Sequence, residues 1–589
     1  MNLLKIILST SAFAIASVAL HAQLPTKVES FPVRDVRLTA SPFKHAEDMD
    51  IRYLLGIDPD RLLAPYLKEA GLFPKAENYT NWENTGLDGH IGGHYLSALS
   101  YMYAATGNQE IKVRLDYMIS ELKRCQDAAG DGYLCGVPNG RKMWKEIEEG
   151  NIRASGFGLN DRWVPLYNIH KMYAGLRDAT LQTGSKEAKE MLVKLTDWMI
   201  RLISKLSDEQ IQDMLRSEHG GLNETFADVA AITGDKRYLK LAHQFSHQTV
   251  LQPLLKQEDK LTGMHANTQI PKVIGFKRIA DLEGNRDWSE AARYFWETVV
   301  DHRSITIGGN SVREHFHPAD DFSSMLTSEQ GPETCNTYNM LRLTKMLYET
   351  SADAHLMDYY ERALYNHILS TQDPVQGGFV YFTPMRAGHY RVYSQPQTSF
   401  WCCVGSGIEN HARYGEMIYG HKDNNLYVNL FIPSTLRWGD IHIEQKTAFP
   451  DEEGTTLAVS PEKGEKEFAL LFRVPEWTNP EALRLSVNGE QQKVTVKEGY
   501  VSLNRTWSKG DKVRLELPMH LRAIALPDGS ANYSILYGPI VLAAQLGKQN
   551  QDGMFADDSR GGHIAAGPRL PLQTMPVMVG DKNDILSHL

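Results

Sequence analysis

A loose internal repeat constrains the fold of this chain more than any other feature of its sequence. Four times, a segment with apolar residues at helical spacing stops at a short polar turn, and another such segment follows directly. Each turn contains a glycine at a position that suits the left-handed end of a helix. The turns are AATGNQE, LQTGSKE, AITGDKR and DLEGNRD, with Gly107, Gly184, Gly234 and Gly284, and SADAHL from Ser351 is a fifth turn without glycine.

Helical hairpins repeated in this way predict a toroid of paired helices. The four glycines lie 77, 50 and 50 residues apart, so each repeat has room for a long loop at the end opposite its short turn. Five or six hairpins with one short and one long connection are typical of a closed ring whose long loops line a central pocket. An open superhelical array of the same hairpins is the alternative that this pattern leaves.

The sequence pattern changes from helical to extended after about Tyr419. Short β-rich runs such as EFALLFRVPEW and KVRLELP follow one another, separated by Asn-Gly, Gly-Asp and Pro turns. They predict one or two β-sandwiches after the helices. Residues 36–38 also alternate, and we expect them to form a strand that returns to this β region. The segment beyond Gly547 is loop-like, so we expect the β region to be incomplete at its C-terminus.

The first 22 residues have the pattern of a secretory signal peptide. Lys5 supplies a positive charge, Ile6 to Leu20 is an apolar run, and the segment ending at Ala22 fits a cleavage site. The run is too short for a comfortable membrane span, and no second apolar stretch follows it. No cysteine lies near the cleavage point to carry a lipid. The sequence therefore predicts an exported protein, periplasmic or secreted, without membrane insertion.

Composition and charge exclude some classes of partner. The hydrophobic fraction of 42% and the charged fraction of 23% are those of an ordinary globular protein. The net charge of -10 argues against nucleic acid or an anionic membrane as a partner, and a neutral substrate fits better. No glycine-rich dinucleotide motif or P-loop precedes a predicted helix, so nucleotide cofactors are unsupported.

Five cysteines in an exported chain need pairing or protection from oxidation. Cys125 and Cys135 flank a glycine-rich turn and could close a small disulfide loop. The other three are Cys335, two residues after a glutamate, and a vicinal pair that begins at Cys402. Three thiols and one carboxylate can fill the tetrahedral shell of a zinc ion. Buried free cysteines that pack as small apolar side chains are the alternative.

The sequence around these cysteines resembles a known family. GPETCNTYNMLRLTKMLYE from Gly331, FWCCVGSGIENHARYGEMIY from Phe400 and HANTQIPKVIG from His265 are similar to the bacterial β-L-arabinofuranosidases, glycoside hydrolases with a zinc-bound cysteine nucleophile. The resemblance runs from about Val33 to about Leu546. It implies an (α/α)6 helical barrel followed by one or two β-sandwich domains. With the signal peptide at 1–22, the expected domains are a barrel with an N-terminal strand at 23–419 and a β-sandwich region at 420–589.

The resemblance also implies a metal site. The family's ligands, one glutamate and three cysteines, correspond here to Glu333, Cys335, Cys402 and Cys403, and the implied cofactor is Zn²⁺. Cys402, the first of the vicinal pair, takes the position of the nucleophile. A zinc-bound thiol loses its proton, so Cys402 is expected to react as a thiolate without a separate base.

A carboxylic acid must protonate the leaving oxygen in such a reaction. The acid/base glutamate of the family follows a Gly-Gly stretch, and Glu314 matches it in IGGNSVREHF. Asp320 and Asp321 are the local competitors for this role, and Glu224 is the distant one. A surface glutamate paired with Arg313 or His315 is the structural alternative.

Three polar segments at predicted helix starts are candidates for sugar binding: LDGHIGGHYLS, EHGGLNETF and MHANTQIPK. Any one of them is more often a satisfied structural group than a ligand contact. The resemblance implies that the substrate-binding residues are His94, Glu224 and His265.

Together these features predict a retaining glycoside hydrolase. The resemblance implies a β-L-arabinofuranosidase that releases L-arabinose from oligo- or polysaccharides of plant origin. A non-catalytic carbohydrate-binding protein with a structural zinc is the main alternative, and a helical-toroid lyase or uronide hydrolase is the second. Glu314 discriminates against the first, because a binding module needs no acid. The scarcity of Lys and Arg near the candidate pocket argues against the second.

Overall fold

The computed structural model describes residues 23–549, 551 and 553–589, so the predicted signal peptide lies outside the described residues. Within this part of the chain, none of the helices combines the length and apolar character that a membrane span requires. The described helices are α1 (Pro42–Gly56), α2 (Pro59–Glu69), α3 (His90–Thr106), α4 (Gln109–Ala129), α5 (Gly140–Glu148), α6 (Pro165–Thr183), α7 (Lys186–Ile203), α8 (Asp208–Met214), α9 (Leu222–Thr233), α10 (Lys236–Gln244), α11 (Gln248–Leu255), α12 (Ala266–Glu283), α13 (Arg286–His302), α14 (Ser323–Thr327), α15 (Thr334–Ser351), α16 (Ala354–Ala363), α17 (Cys402–Asn410) and α18 (Lys582–Ser587).

Six of the described helices close into an inner ring. α3 packs on α6, α6 on α9, α9 on α12, α12 on α15, α15 on α17, and α17 returns to α3. Outside this ring, α4, α7, α10, α13 and α16 each pack on the inner helix that precedes them, and α1 covers α17. The contact between α17 and α3 closes the toroid, so the predicted (α/α)6 barrel is confirmed and the open array is wrong.

The repeated turns end the inner helices as their sequence predicts. The glycine turns cap α3, α6, α9 and α12 with φ between 70° and 76°, a backbone that glycine adopts without strain. α15 ends on Ala352 at φ 57°, so the fifth turn takes the same conformation without glycine. In all five turns, the residue after this C-cap is the N-cap of the following outer helix, which it caps with its side chain. These N-caps are Asn108, Ser185, Asp235, Asn285 and Asp353.

The strands of the described chain lie mainly after the barrel. They are β1 (Glu29–Ser30), β2 (Val36–Leu38), β3 (Ala154–Ser155), β4 (Gly158–Leu159), β5 (Arg162–Trp163), β6 (Tyr419–Lys422), β7 (Asn425–Val428), β8 (Ser434–Trp438), β9 (Ile441–Lys446), β10 (Thr455–Pro461), β11 (Lys466–Arg473), β12 (Arg484–Val487), β13 (Glu490–Gln491), β14 (Val496–Lys497), β15 (Tyr500–Trp507), β16 (Asp511–Glu516), β17 (Leu521–Ala525), β18 (Tyr533–Tyr537) and β19 (Ile540–Val541).

Two large sheets form a sandwich. One has the order β1-β6-β7-β11-β15-β14 and the other β13-β12-β16-β10-β9-β8-β2. β9 and β10 alternate buried and more exposed residues, and the buried side chains of both sheets share one core. β2 joins the second sheet by pairing with β8, so the strand expected at residues 36–38 forms. A small sheet, β17-β18-β19, follows the sandwich.

Arg473 fastens the sandwich to the barrel. Its guanidinium, at the end of β11, lies 2.5 Å from Asp358 and 2.5 Å from Glu361, both on α16. All three groups are buried, and a buried ion pair with several hydrogen bonds fixes orientation more than it adds stability. In the barrel itself, Cys125 and Cys135 are free buried thiols, so the disulfide loop that their spacing allowed is absent among the described residues.

Candidate active site

A pocket of about 490 Å³ opens at the end of the barrel where the inner helices begin. Each of the six inner helices contributes a residue from its first turn or from the loop just before it. In ring order these residues are Leu87, Val164, Glu218, His265, Glu333 and Cys402. The N-terminal ends of helices carry partial positive charge, so six of them aimed at one point favour anionic groups such as thiolates and carboxylates.

The thiols and the carboxylate predicted to bind zinc lie together at the floor of this pocket. Glu333 is the N-cap of α15 with Cys335 two residues later, and Cys402 and Cys403 begin α17. Glu333 Oε1 lies 3.9 Å from Cys402 Sγ and 3.8 Å from Cys403 Sγ, and Cys403 Sγ lies 3.1 Å from Cys335 Sγ. All four ligand atoms are within 4.8 Å of one another. The fold thus brings together two pairs of residues, Glu333 with Cys335 and Cys402 with Cys403, that lie more than sixty positions apart in the sequence.

The donor set and its surroundings fit a zinc ion. Ligands at about 2.3 Å in a tetrahedron are roughly 3.5–3.8 Å apart, close to the separations found here. Glu333 Oε2 is buried without a hydrogen-bond partner among the described residues. Burial raises the pKa of Cys402, Cys403 and Glu333 well above their usual values. A bound cation supplies the charge that the buried thiolates and carboxylate need.

Glu314 stands at the side of the same pocket, in a loop with unusual backbone geometry. Ser311, Arg313 and Glu314 all have positive φ, at 76°, 48° and 68°. Non-glycine residues rarely adopt this conformation, and such strain is concentrated at functional sites. Tyr381 donates a hydrogen bond to Glu314 Oε1 at 2.5 Å, and ligand atoms of Glu314, Glu333 and His265 lie within 4.8 Å of one another. The candidate acid therefore adjoins the thiol cluster through Glu333.

The imidazole ring of His265 faces this acid across the pocket. It is the N-cap of α12, and its Nδ1 accepts from the Thr268 backbone N–H. Burial and the charges of His315 and Lys272 lower the pKa of His265 to about 3, so the ring is neutral near pH 7. Since Nδ1 is an acceptor, the ring proton lies on Nε2, which is 3.8 Å from Glu314 Oε2.

Two of the expected substrate-binding residues lie outside the pocket lining. His94 Nδ1 lies 2.5 Å from Glu409 Oε1, and burial lowers the pKa of His94 to about 4. Its ring packs so closely against α17 that a Cβ at Gly405 would come within 2.3 Å of it. Glu224 accepts hydrogen bonds from Arg177 and Arg342 in a buried ion-pair network. His94 Nδ1 and Glu224 Oε1 therefore already have hydrogen-bond partners inside the protein.

From the segment EHGGLNETF, Glu218 lines the pocket, whereas the sequence predicted Glu224. It lines the pocket, is 8% exposed, and its carboxyl has no hydrogen-bond partner among the described residues. Burial, together with the charge of Cys402, raises the pKa of Glu218 to about 8 against the opposing charge of Lys171. The Gly220–Gly221 turn, which begins two residues after Glu218, was the available signal for a residue facing a ligand.

Aromatic and C-terminal residues complete the lining, and sequence analysis missed them. Trp82, Trp163 and Tyr381 form its aromatic side, and their positions depend on long-range packing. Arg560 and His563 reach the pocket from near the end of the chain. The remaining lining residues are Phe157, Tyr167, Asn267 and Gly561.

Comparison with known proteins identifies the family of this chain. Residues 35–416 match the catalytic domain of the GH127 β-L-arabinofuranosidases, and residues 425–519 match the GH127 middle domain. Residues 522–589 match a domain of unknown function. No curated protein matches the chain.

Solved structures share the fold. The crystal structure of a GH127 β-L-arabinofuranosidase from Geobacillus stearothermophilus T6 superposes with a TM-score of 0.68 at 21% identity, covering 86% of each chain. A second GH127 β-arabinofuranosidase gives 0.68 at 20% identity, covering 88% of this chain and 85% of its own. With the family match over most of its length and a buried thiol–carboxylate cluster in its pocket, this chain belongs to the GH127 β-L-arabinofuranosidase family and is a glycoside hydrolase.

Proposed function

We propose that this protein is an exported, retaining β-L-arabinofuranosidase that releases L-arabinose from plant oligo- or polysaccharides. The observation that carries the proposal is that Glu333 lies next to both the proposed nucleophile and the proposed acid. Its carboxylate adjoins the thiol of Cys402 on one side and the carboxyl of Glu314 on the other. A nucleophile and an acid on one pocket are what a retaining glycosidase requires.

In this proposal, Cys402 is the nucleophile and Glu314 is the acid and then the base. Cys402 Sγ attacks the anomeric carbon while Glu314 donates its proton to the departing glycosidic oxygen, so a C–S bond forms as the C–O bond breaks. Glu314, now ionised, takes a proton from water. The hydroxide attacks the anomeric carbon from the face that the leaving group vacated, and the thiolate of Cys402 departs. Two inversions give net retention.

Zinc is the proposed cofactor, held by Glu333, Cys335, Cys402 and Cys403. When bound, zinc supplies the positive charge that keeps thiolates ionised at neutral pH. Cys403 and Cys335 then serve as anchors, and Cys402, which lines the pocket at 7% exposure, is the thiol that faces substrate.

The pocket suits one terminal neutral sugar. Its floor is closed by Glu333, which has no exposed surface, and by Cys402, so a chain can enter only by its end. Glu218, His265 and Asn267 present polar groups to sugar hydroxyls, and Trp82 and Trp163 present apolar ring faces. This arrangement favours removal of a terminal residue over cleavage within a chain. Export is supported by the signal-like residues 1–22 alone.

A substrate panel tests the proposal. Purified protein is incubated with methyl and aryl glycosides of β-L-arabinofuranose, α-L-arabinofuranose, β-D-xylose and β-D-galactose, and separately with a pectic polysaccharide. The products are followed by NMR. We expect hydrolysis of the β-L-arabinofuranosides alone, with the β anomer as the first product. Hydrolysis confined to another sugar, or an unsaturated uronide from a pectic substrate, contradicts the substrate assignment. Saturable sugar binding without turnover favours the carbohydrate-binding alternative.

A further inference from the structure

A segment of the C-terminal region crosses the mouth of the pocket. We define this strap as residues 556–567, which lie within the domain of unknown function. Its residues Arg560, Gly561 and His563 line the pocket together with the barrel residues. The strap therefore forms part of the pocket wall, although it follows the last sandwich strand by about forty residues.

Hydrogen bonds fix the strap to the barrel at several points. The Asn81 side chain donates to the Ser559 carbonyl at 2.7 Å, and Trp82 Nε1 donates to the Arg560 carbonyl at 3.0 Å. Asn81 also accepts from the backbone N–H of Phe400, two residues before the vicinal cysteines. At the start of the strap, the Ala556 N–H donates to the Tyr393 carbonyl at 2.9 Å. The strap is thus held against the segment that carries the proposed nucleophile.

His563 connects the strap to the proposed acid. Its ring lies 4.4 Å from the ring of Tyr381 and 5.5 Å from that of Trp401. Tyr381 in turn donates its hydroxyl hydrogen to Glu314. One side chain therefore separates the strap from the group that protonates the leaving oxygen.

Arg560 offers a charged donor at the pocket mouth. Its guanidinium carbon lies 3.8 Å above the ring of Trp163, which packs against Trp82. Within the described residues, Arg560 forms no ion pair. An arginine stacked on an aromatic ring keeps its N–H edge free, and this edge matches two adjacent oxygen acceptors.

The depth at which each group lies in the pocket indicates which part of the substrate it faces. Glu333 and Cys402 are buried at the floor, the Glu314 side chain is 31% exposed, and Arg560 is exposed. The sugar that is released must contact Cys402 at the floor. Its leaving group therefore points outward, past Glu314 and towards the strap.

On the basis of the function proposed above, we propose that the strap binds the first sugar of the leaving group. Arg560 donates to a pair of adjacent oxygens on that sugar, either vicinal hydroxyls or a carboxylate. Trp163 and His563 provide ring surfaces beside it. The domain of unknown function thereby selects substrates by what the arabinose is attached to.

Paired substrates test this role. One substrate is methyl β-L-arabinofuranoside, and the others carry the same sugar on a neutral sugar or on a uronic acid. Arg560→Ala should lower kcat/KM roughly 10- to 100-fold for a sugar leaving group, as expected for a lost charge-assisted hydrogen bond, and at most about 3-fold for the methyl glycoside. A larger loss on the uronate identifies the carboxylate as the partner, and a larger loss on the neutral sugar identifies hydroxyls.

Lys548→Ala is the matched control, because it removes an exposed cation from the same C-terminal region outside the pocket lining. It should change none of these values. Equal losses on methyl and sugar leaving groups in Arg560→Ala, or no loss on either, would overturn the proposal for the strap.

A binding measurement separates this proposal from the proposed function. Trp82, Trp163 and Trp401 adjoin the strap, so their fluorescence reports binding without turnover. If the native protein hydrolyses no β-L-arabinofuranoside, the proposed function fails. The strap proposal still predicts saturable quenching by arabino-oligosaccharides that weakens about 10-fold or more in Arg560→Ala, and absence of that difference contradicts it.

Discussion

The phenol hydroxyl of Tyr381 lies 2.5 Å from Oε1 of Glu314 and donates a hydrogen bond to it. The other carboxyl oxygen faces Nε2 of His265 at 3.8 Å. The Glu314 carbonyl also accepts from the Ala266 N–H, which fixes the backbone of a residue in the left-handed region. The carboxyl is therefore held in one orientation beside the thiol cluster, as an acid that transfers a proton to a bound substrate must be.

Replacing Glu314 by glutamine should produce a loss of activity that depends on the leaving group. A poor leaving group such as methanol needs the proton, so we expect kcat/KM to fall about 10²–10⁴-fold. A dinitrophenyl leaving group departs without a proton, and its bond-breaking step should be nearly preserved. Steady-state and burst kinetics on both glycosides measure the two effects.

Asp320→Asn is the control for this experiment, because Asp320 is an exposed carboxylate in the same segment. It should leave both substrates unaffected. An equal loss on both glycosides in Glu314→Gln would assign Glu314 to binding and leave Asp320, Asp321 or Glu218 to be tested as the acid.

The metal assignment predicts about one zinc per chain, since Glu333 and three cysteines complete a tetrahedral shell. Cys335→Ala should lower zinc content and activity together, because it removes a ligand but no reacting atom. Elemental mass spectrometry of the purified variants gives the zinc content. Cys125→Ala removes an equally buried thiol from outside the cluster and should keep both. Full activity in protein stripped of metal would end this assignment.

Glu224 should matter for stability and little for substrate affinity. Its carboxylate accepts from Arg177 and Arg342, and all three side chains are largely buried. Glu224→Gln leaves two buried guanidinium groups without this partner, which costs about 3–5 kcal/mol of unfolding free energy. The exposed pair of Lys68 with Glu77 offers the contrast, because Glu77→Gln should cost about 0–1 kcal/mol. Chemical denaturation measures both, and a KM that rises without loss of stability in Glu224→Gln restores the sugar-binding role.

Local signals in the sequence were sufficient to predict the helical hairpins of which the barrel is built. A glycine or its equivalent ends each of five inner helices, and the residue after it caps the next helix. Both effects depend on neighbouring residues only, so they can be seen without a structure. The closing contact of α17 with α3 depends on residues far apart in sequence, and there the family resemblance was needed.

The wall of the pocket could not be predicted in the same way. Trp82 and Arg560 meet across more than four hundred residues, and no periodicity links them. His94 and Glu224 have the residue types expected of sugar contacts, but their positions on the inner helices bury them against Glu409 and Arg342. Residue type predicts chemistry, whereas the direction of a side chain depends on the packing of the whole ring.

His411 should make the fold sensitive to acid. Its ring is fully buried, Nδ1 contacts the Tyr414 hydroxyl at 2.6 Å, and burial lowers the pKa of His411 to about 3. Below about pH 6.5 the unfolded chain binds a proton here that the folded chain does not, so this residue lowers the free energy of unfolding as pH falls. The effect is about 2 kcal/mol at pH 5 relative to pH 8.

Urea denaturation at several pH values compares His411→Gln with the native chain. Because glutamine does not titrate, the difference between the two should grow in favour of the variant as pH falls. His588→Gln, at an exposed position near the C-terminus, should show no such trend. A pH-independent difference between His411→Gln and the native chain would contradict the assignment.

Covalent capture of the nucleophile tests the central claim most directly. A β-L-arabinofuranosylamine carrying a bromoacetyl group is incubated with the enzyme, and the labelled peptide is sequenced by mass spectrometry. Cys402 lines the pocket and Cys403 lies beneath it with no exposed surface, so the account predicts one label, on Cys402. Cys402→Ser should take up no label and be nearly inactive. A label on Glu218 or Glu314 with Cys402 unmodified would contradict the thiolate mechanism and return the reaction to a pair of carboxylates.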